Sequence, residues 1–518
     1  MGKFIRLFNT VKYLKPTQVY YRLYYFARPR IRNIYGFQYP LAVSSKSVTL
    51  TLQPSIASYA SVNNKTFGFL NLSHTFENGI DWNYAKYGKL WTYNLTYFDF
   101  LQQEGMTKES GLKLIYDFIE KADSHKDAME PFPIALRGIN WVKFLSSHHI
   151  KDQKIDDSLY AQYKILMDNL EYHLLGNHLL ENGFSLLFGA YYFQDEKLHD
   201  KAKEILVAEL NEQILDDGAH FELSPMYHQI MLLRVLDCIN LVQNNKFRDQ
   251  ELLKFLKNKA SLMLGWLDNM TYKSGDIPLL NDSANGIAPR SQELFEYASG
   301  LDVEVEKTKL KASGYRKVIN DNYEAIVDIG NIGPDYIPGH AHSDTFNFVV
   351  QVNDKPFIVD TGLSTYETNN RRTVERSTLS HNTVEINEKD QSEVWGGFRV
   401  ANRAKIVKIS EYDNTIEATH DGYKKDNIFH TRSWKFKEDR IIISDSLNKA
   451  AKAVARLHFH PDVTEEMIRE HITINHEPLT NHESRITNYQ YAPEFNKEID
   501  AKVLEIEFKK ELEIEIHL

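Results

Sequence analysis

Two hydrophobic textures divide the chain. From about residue 82 to residue 300, apolar side chains recur at three- and four-residue spacing with no long alternating run, the signature of amphipathic helices. Residues 159–175, 179–193 and 227–242 carry it most clearly. Breaks at Pro131-Phe132-Pro133, Gly176-Asn177, Asp216-Asp217-Gly218 and Gly275-Asp276-Ile277-Pro278 predict short loops, hence a series of helical hairpins. Past Gly300 the period shortens. Glu324-Ala325-Ile326-Val327-Asp328, residues 346–352, 357–359 and 383–386, Arg440-Ile441-Ile442-Ile443-Ser444, Leu504-Glu505-Ile506-Glu507-Phe508 and the closing stretch 512–518 read as strands, several with the alternation of a half-buried one. A helical half followed by a strand-rich half predicts segregated domains, the second an antiparallel β-sandwich.

The length of 518 residues also calls for more than one core. We place the divisions at 1–75, an N-terminal segment; 76–312, the helical domain; and 313–518, the β-domain. The formal net charge of −10 argues against general affinity for nucleic acid, and none is expected as a partner. Cys238 is the only cysteine and lies in an apolar run, so no intrachain disulfide forms and a buried, inert thiol is expected.

The N-terminal segment has no acidic residue before Glu77, and from Lys12 to Arg32 it interleaves basic residues with Tyr20, Tyr21, Tyr24, Tyr25 and Phe26. Its basic residues interrupt any apolar core of a signal peptide or membrane span, so a cytoplasmic location is expected. Two readings of residues 1–32 stand side by side. They form a basic helix docked by its aromatics onto the helical domain, the expected arrangement, or an amphipathic helix resting peripherally on an anionic membrane face.

The chemistry concentrates at Gly339-His340-Ala341-His342-Ser343-Asp344-Thr345, which leads into an apolar strand, a turn at Asn353-Asp354-Lys355 and a second strand ending in Asp360. His381 follows in Ser380-His381-Asn382-Thr383. Two histidines and one aspartate gathered at one end of a hairpin are a donor set that zinc favours. Taken alone, His340-Ala341-His342 would supply two ligands to one metal if the segment were extended. Elsewhere, Asn177, His178, Glu181 and Asn182 share a helix face. Ser224-Pro225 predicts a helix start with Tyr227 and His228 in its first turn.

Taken in order, Asn177-His178-Leu179-Leu180-Glu181-Asn182-Gly183, Ser224-Pro225-Met226-Tyr227-His228, His340-Ala341-His342-Ser343-Asp344, Val359-Asp360-Thr361-Gly362, Arg376-Ser377-Thr378-Leu379-Ser380-His381-Asn382-Thr383 and Trp395-Gly396-Gly397-Phe398-Arg399 resemble the heparinase II/III family of polysaccharide lyases, in the alginate-lyase-like superfamily. The resemblance covers most of the chain from about Trp82 onward. It implies that the helices form an incomplete (α/α) toroid. It places Asn177, His178, Tyr227 and His340 in the catalytic cleft, with Tyr227 as general acid, and divides the histidine pair so that His342, Asp360 and His381 bind a structural zinc. It implies cleavage of a uronic-acid-containing glycan, an acidic polysaccharide or oligosaccharide, by β-elimination.

Further candidates for sugar contact are Glu181, Trp91, Tyr97, Arg137, Asn140, Trp141, Trp395 and Arg399, since aromatic faces beside a guanidinium suit an acidic sugar. Two other functions use the same residues. One is a non-catalytic or precursor-processing carbohydrate-binding protein of surface-polysaccharide assembly. The other is a zinc-dependent glycan hydrolase with Glu375 or Glu385 as base, although His-Glu-x-x-His is absent.

Overall fold

The computed structural model describes residues 2–39, 42–44, 46–248, 250–479 and 484–518. Two helices lead, α1 (Gly2–Val11) and α2 (Pro16–Ile34), followed by a small antiparallel sheet of β1 (Ser61–Asn63), β2 (Thr66–Phe69) and β3 (Leu72–Thr75). The helical domain contains α3 (Lys89–Tyr97), α4 (Lys108–Glu120), α5 (Pro131–Ser147), α6 (Gln153–Asp168), α7 (Gly176–Phe193), α8 (Glu196–Gln213), α9 (Pro225–Asn244), α10 (Gln250–Met270) and α11 (Ser291–Gly300).

These helices form two layers. α5, α7, α9 and α11 pack in succession, while α6, α8 and α10 lie against α5, α7 and α9. The inner layer is recognisable from composition: α7 is buried on almost every side and accordingly hydrophobic all round, with Phe184, Leu186, Leu187 and Tyr191 in the core. Side-chain caps fix the helix starts. Thr107, Asp152, Asp195 and Ser224 each accept a backbone N–H from the first turn of α4, α6, α8 and α9. The helical run expected over residues 159–175 stops at Asp168, and residues 169–175 form turns whose carbonyls serve as acceptors for α2.

The β-domain opens with a four-stranded sheet of β4 (Tyr315–Ile319), β5 (Tyr323–Asp328), β6 (Phe348–Val352) and β7 (Lys355–Ile358), paired in that order. Asn353 and Asp354 join β6 to β7 with positive φ at both residues, the two-residue turn that matches strand twist. A short helix, α12 (Asn370–Glu375), precedes β8 (Val384–Ile386), β9 (Val394–Trp395), β10 (Arg399–Val400), β11 (Ile406–Tyr412), β12 (Thr415–His420), β13 (His430–Phe436), β14 (Arg440–Leu447) and β15 (Ala453–His458). After α13 (Glu465–His471) come β16 (Ile472–Ile474), β17 (Glu477–Pro478), β18 (Ser484–Glu494), β19 (Lys497–Phe508) and β20 (Glu511–His517). Two further antiparallel sheets result, in the orders β11-β12-β13-β14-β20-β16-β17 and β18-β19-β15-β8. They share one core that includes Phe346, Trp434, Ile443, Leu457 and Ile514. The fold is thus a helical toroid followed by an antiparallel β-sandwich.

The N-terminal segment does not rest on the helical domain alone. α2 docks there, whereas Arg6 and Thr10 of α1 reach Glu393 and Trp395 of the β-domain, and Arg403 lies 3.8 Å over the ring of Tyr13. On the opposite approach, the tip of the β18–β19 hairpin meets the β2–β3 turn. Asn71 donates to Glu494 and to the Phe495 carbonyl, both at 3.0 Å, and Asn496 donates to the Leu70 carbonyl at 2.8 Å.

Candidate active site

A cavity of about 690 Å³ lies between the two domains. Tyr97, Asp99, Asn140, Lys143, Asn177, Glu181, Tyr227 and Arg234 line it from the helices, and Tyr366, Glu494 and Phe495 from the β-domain. Asn177 reaches it because the chain enters α7 through two successive left-handed residues, Leu175 and Gly176. A Cβ on Gly176 would come within 2.9 Å of Ile337 Cδ1 and 3.2 Å of Glu222 Oε1, so the position also demands a missing side chain. The Asn177 Oδ1 atom is buried without a protein partner.

Tyr227 sits in the first turn of α9, as the Ser224 cap dictates. Its hydroxyl lies 3.1 Å from that of Tyr366, and its ring packs on the His340 imidazole with centroids 4.0 Å apart. Burial pushes the Tyr227 phenol above the ordinary tyrosine range, and the Asp282 and Glu222 carboxylates push it the same way against the Tyr366 hydrogen bond. The group therefore holds its proton.

Asp282 organises the histidines. It is wholly buried in the loop before α11, and its Oδ2 accepts from His340 Nδ1 at 2.8 Å while its Oδ1 accepts from His342 Nε2 at 2.8 Å. Arg372 of α12 grips both oxygens through its two terminal nitrogens. Burial by itself would raise Asp282, but the Arg372 guanidinium and the imidazole N–H donors hold its carboxyl well below the usual range. An ionised carboxylate only accepts, so Nδ1 of His340 carries a proton, while its Nε2 lies 3.8 Å from Glu222 Oε2. Arg372 is itself held by the Gly397 carbonyl at 3.1 Å. That carbonyl belongs to the Gly396-Gly397 turn, where both residues have the positive φ that glycine supplies freely.

Models of both parts of one family match the chain: Heparinase II/III N-terminus over residues 24–300 and Heparinase II/III-like, C-terminal, over residues 304–516. The chain belongs to the heparinase II/III family. A heparin-sulfate lyase of Bacteroides stercoris is 22% identical over 322 residues, covering 56% of this chain and 46% of that protein, so the chain matches less than half the length of this relative. A crystal structure of heparinase III superposes with a TM-score of 0.67 at 14% identity, covering 97% of this chain and 91% of its own. A second heparinase III structure gives 0.61 at 15% identity, covering 86% and 82%.

Within this heparinase II/III family member the expected site residues part company. Asn177, Glu181, Tyr227, Tyr97 and Asn140 come to the cavity, with His340 directly behind Tyr227. Glu181 is paired with Arg234 at 3.2 Å, and the Asn140 amide donates to Asp99 at 2.6 Å and to the Tyr97 carbonyl at 2.9 Å. His178 turns away from the cavity toward Glu171, 3.0 Å from its Nδ1, and packs on Phe132. Burial would lower the His178 pKa, but Glu171 raises it above the ordinary value.

Arg137, Trp91 and Trp141 are corrections. All three are wholly buried in the core, and the Arg137 guanidinium is spent on Gln162 and the carbonyls of Thr96 and Ala128. Trp395 and Arg399 also miss the cavity: they stack on each other at 4.8 Å beneath α1. The neighbour that does approach the site is Phe398, whose ring centroid is 6.0 Å from that of His340. Asp282, Arg372, Tyr366 and Glu222 were not foreseen. The available signal was Asn281-Asp282-Ser283, a polar triplet directly after the apolar run Ile277-Pro278-Leu279-Leu280.

His342, Asp360 and His381 lie together beneath this site. His342 and His381 rings are 5.3 Å apart, and His381 Nδ1 donates to Asp360 Oδ2 at 2.7 Å. His342 Nδ1 and His381 Nε2 are both buried with no hydrogen-bond partner. Two unpartnered imidazole nitrogens beside an aspartate suit zinc chemically. The donor atoms are not drawn together as a closed ligand set. Among the described residues, the group with mutual donor distances within 4.8 Å is His476, in the exposed β16–β17 turn, with Glu513 and Glu515 of β20, and His476 is ion-paired to both glutamates.

Proposed function

We propose that this protein is a polysaccharide lyase that cleaves a uronic-acid-containing glycan by β-elimination in the interdomain cavity. The observation that carries the reading is the close Tyr227–His340 pair, one member a phenol that keeps its proton and the other an imidazole oriented by Asp282, set beside Asn177, whose Oδ1 has no protein partner.

In the reaction, the uronate carboxylate accepts from the Asn177 side-chain N–H, which makes the C5 proton more acidic. His340 Nε2 takes that proton. The C5–H electron pair forms the C4–C5 double bond as the C4–O bond breaks, and Tyr227 delivers a proton to the departing oxygen. One proton is taken and one given, and no water is consumed. Asp282 fixes the His340 tautomer that makes this division of labour work. Zinc bound by His342, Asp360 and His381 would supply a structural cross-link under the loop that carries His340.

Lining cations in the cavity are Lys143 and Arg234, each already paired, with Asp237 at 2.8 Å and Glu181 at 3.2 Å respectively. Asp99, Glu181 and Glu494 add negative charge to the same cavity. This balance favours a glycan with few sulfates. A panel of uronate glycans followed at the absorbance of the conjugated double bond, with product masses, tests both points. We expect an unsaturated product and a kcat/KM at least about tenfold higher for the sulfate-free polymer than for a densely sulfated one, equivalent to about 1.4 kcal/mol of transition-state binding. Products one water heavier would establish a hydrolase, and tight binding without turnover a carbohydrate-binding protein.

Elemental analysis of the purified protein is expected to find about one zinc per chain, and His342→Ala to lose it together with thermal stability. Full zinc content and unchanged melting in that variant would refute the ligand assignment.

A further inference from the structure

We infer that α1 and α2 form a docking surface for an anionic lipid bilayer. The inference stands apart from the catalytic reading and rests on the orientation of these two helices.

α2 is amphipathic the wrong way round for a helix packed on a domain. Its inward face is polar: Gln18 donates to the Leu174 carbonyl at 2.9 Å, Tyr25 to the Leu170 carbonyl at 2.6 Å, Arg28 to the Asp168 carbonyl, and Arg32 pairs with the Asp168 carboxylate. Its outward face carries Val19, Leu23, Phe26, Ile31 and Ile34 at helical spacing, with Leu23 66%, Phe26 64% and Ile34 79% exposed. α1 repeats the arrangement. Arg6 and Thr10 face the β-domain while Phe4 and Phe8 point away, 84% and 65% exposed. More than half of the large exposed apolar side chains among the described residues fall in the first 43 positions. A patch this size ordinarily has an occupant.

Charge selects a lipid surface. Residues 1–76 contain ten Lys and Arg and no Asp or Glu, in a chain whose formal net charge is −10, so the remainder carries −20. An anionic surface would therefore attract this end and repel the rest, which orients the molecule. Lys3, Lys12, Arg22 and Arg30 are exposed and, among the described residues, pair with no carboxylate; the Arg30 guanidinium lies 3.6 Å over the Phe26 ring, a stem-along-apolar placement suited to an interface. Exposed Tyr20 and Tyr35 add rings with polar tips at the same level. A second copy fits less well, since a two-fold contact through this patch would bring the same unpaired cations together. No helix among the described residues is long and apolar enough to cross a membrane, so the contact is peripheral.

The test is flotation of the full-length protein with vesicles of phosphatidylcholine alone or with about 30% phosphatidylserine, the fraction that gives a physiologically negative surface. Partition onto the anionic vesicles only, weakened by salt, is expected. The double variant Leu23→Ser/Phe26→Ser, which changes only outward side chains, should reduce that partition at least tenfold with unchanged melting, and Lys12→Glu/Arg30→Glu should abolish the lipid selectivity. Absence of binding to anionic vesicles overturns the proposal, as does binding that survives both variants. If sedimentation instead shows a dimer that the Leu23→Ser/Phe26→Ser variant dissociates, a second copy is the occupant.

Discussion

Tyr227→Phe is expected to lower kcat by roughly 10²–10⁴-fold, the usual contribution of a positioned acid or base, while leaving substrate binding nearly intact. The substitution removes one hydroxyl and its hydrogen bond to Tyr366, a loss of about 1 kcal/mol of stability, so the variant should fold. The pH dependence separates this role from a merely structural one. The phenol acts in its protonated form, which persists below its pKa, and burial raises that pKa above the ordinary value of 10.0. The alkaline fall in kcat attributable to Tyr227 should therefore lie above pH 10 in the native protein. Near-normal turnover by the phenylalanine variant would remove Tyr227 from the chemistry even if the lyase activity itself were established.

The second large effect is expected at Asp282. Asp282→Asn keeps the shape but withdraws the charge that Arg372 neutralises from within the core. Breaking a buried pair by removing one partner leaves the other charge stranded, at a cost of about 3–5 kcal/mol. His340 would also lose the acceptor that fixes its proton on Nδ1, so activity should fall along with the urea midpoint. Because Asp282 comes from the helical domain and Arg372 from the β-domain, the loss should appear as weakened docking between them. A variant with native stability and activity would show that the two histidines are positioned by something else.

The architecture was legible because the two halves obey different periods, 3.6 and 2, and because Ser224 before Pro225 marks a helix start in residues alone. The stop of α6 at Asp168 was not, since the apolar spacing of residues 159–175 continues through turns whose carbonyls are claimed by α2. In the site, motif order located Tyr227 and His340. Their organiser Asp282 escaped notice because its partners lie 58, 60 and 90 residues away and only the tertiary fold brings them to it. Trp91, Trp141 and Arg137 were misread for a chemical reason: an aromatic ring and a guanidinium serve equally as sugar platform and as core, and burial alone tells them apart. The N-terminal helices posed the docked and the membrane-facing readings as rivals, yet a helix has two faces, and here one face is docked while the other is left bare.

The contact between the β2–β3 turn and the β18–β19 hairpin tip has a consequence for size selection. The cavity walls belong to different domains, and this contact ties them together through three hydrogen bonds and through Phe495, buried against Met226 and Ala284 of the opposite wall. Parting the walls would forfeit about 3 kcal/mol of hydrogen bonding and about 2 kcal/mol of apolar burial. A molecule with parted walls is then a rarity, roughly one in several thousand. The aperture is thus nearly fixed, and under the proposed lyase activity the protein would act as a gauge: a glycan with a bulky branch at the wrong sugar would be refused by girth, and raising its concentration would not admit it.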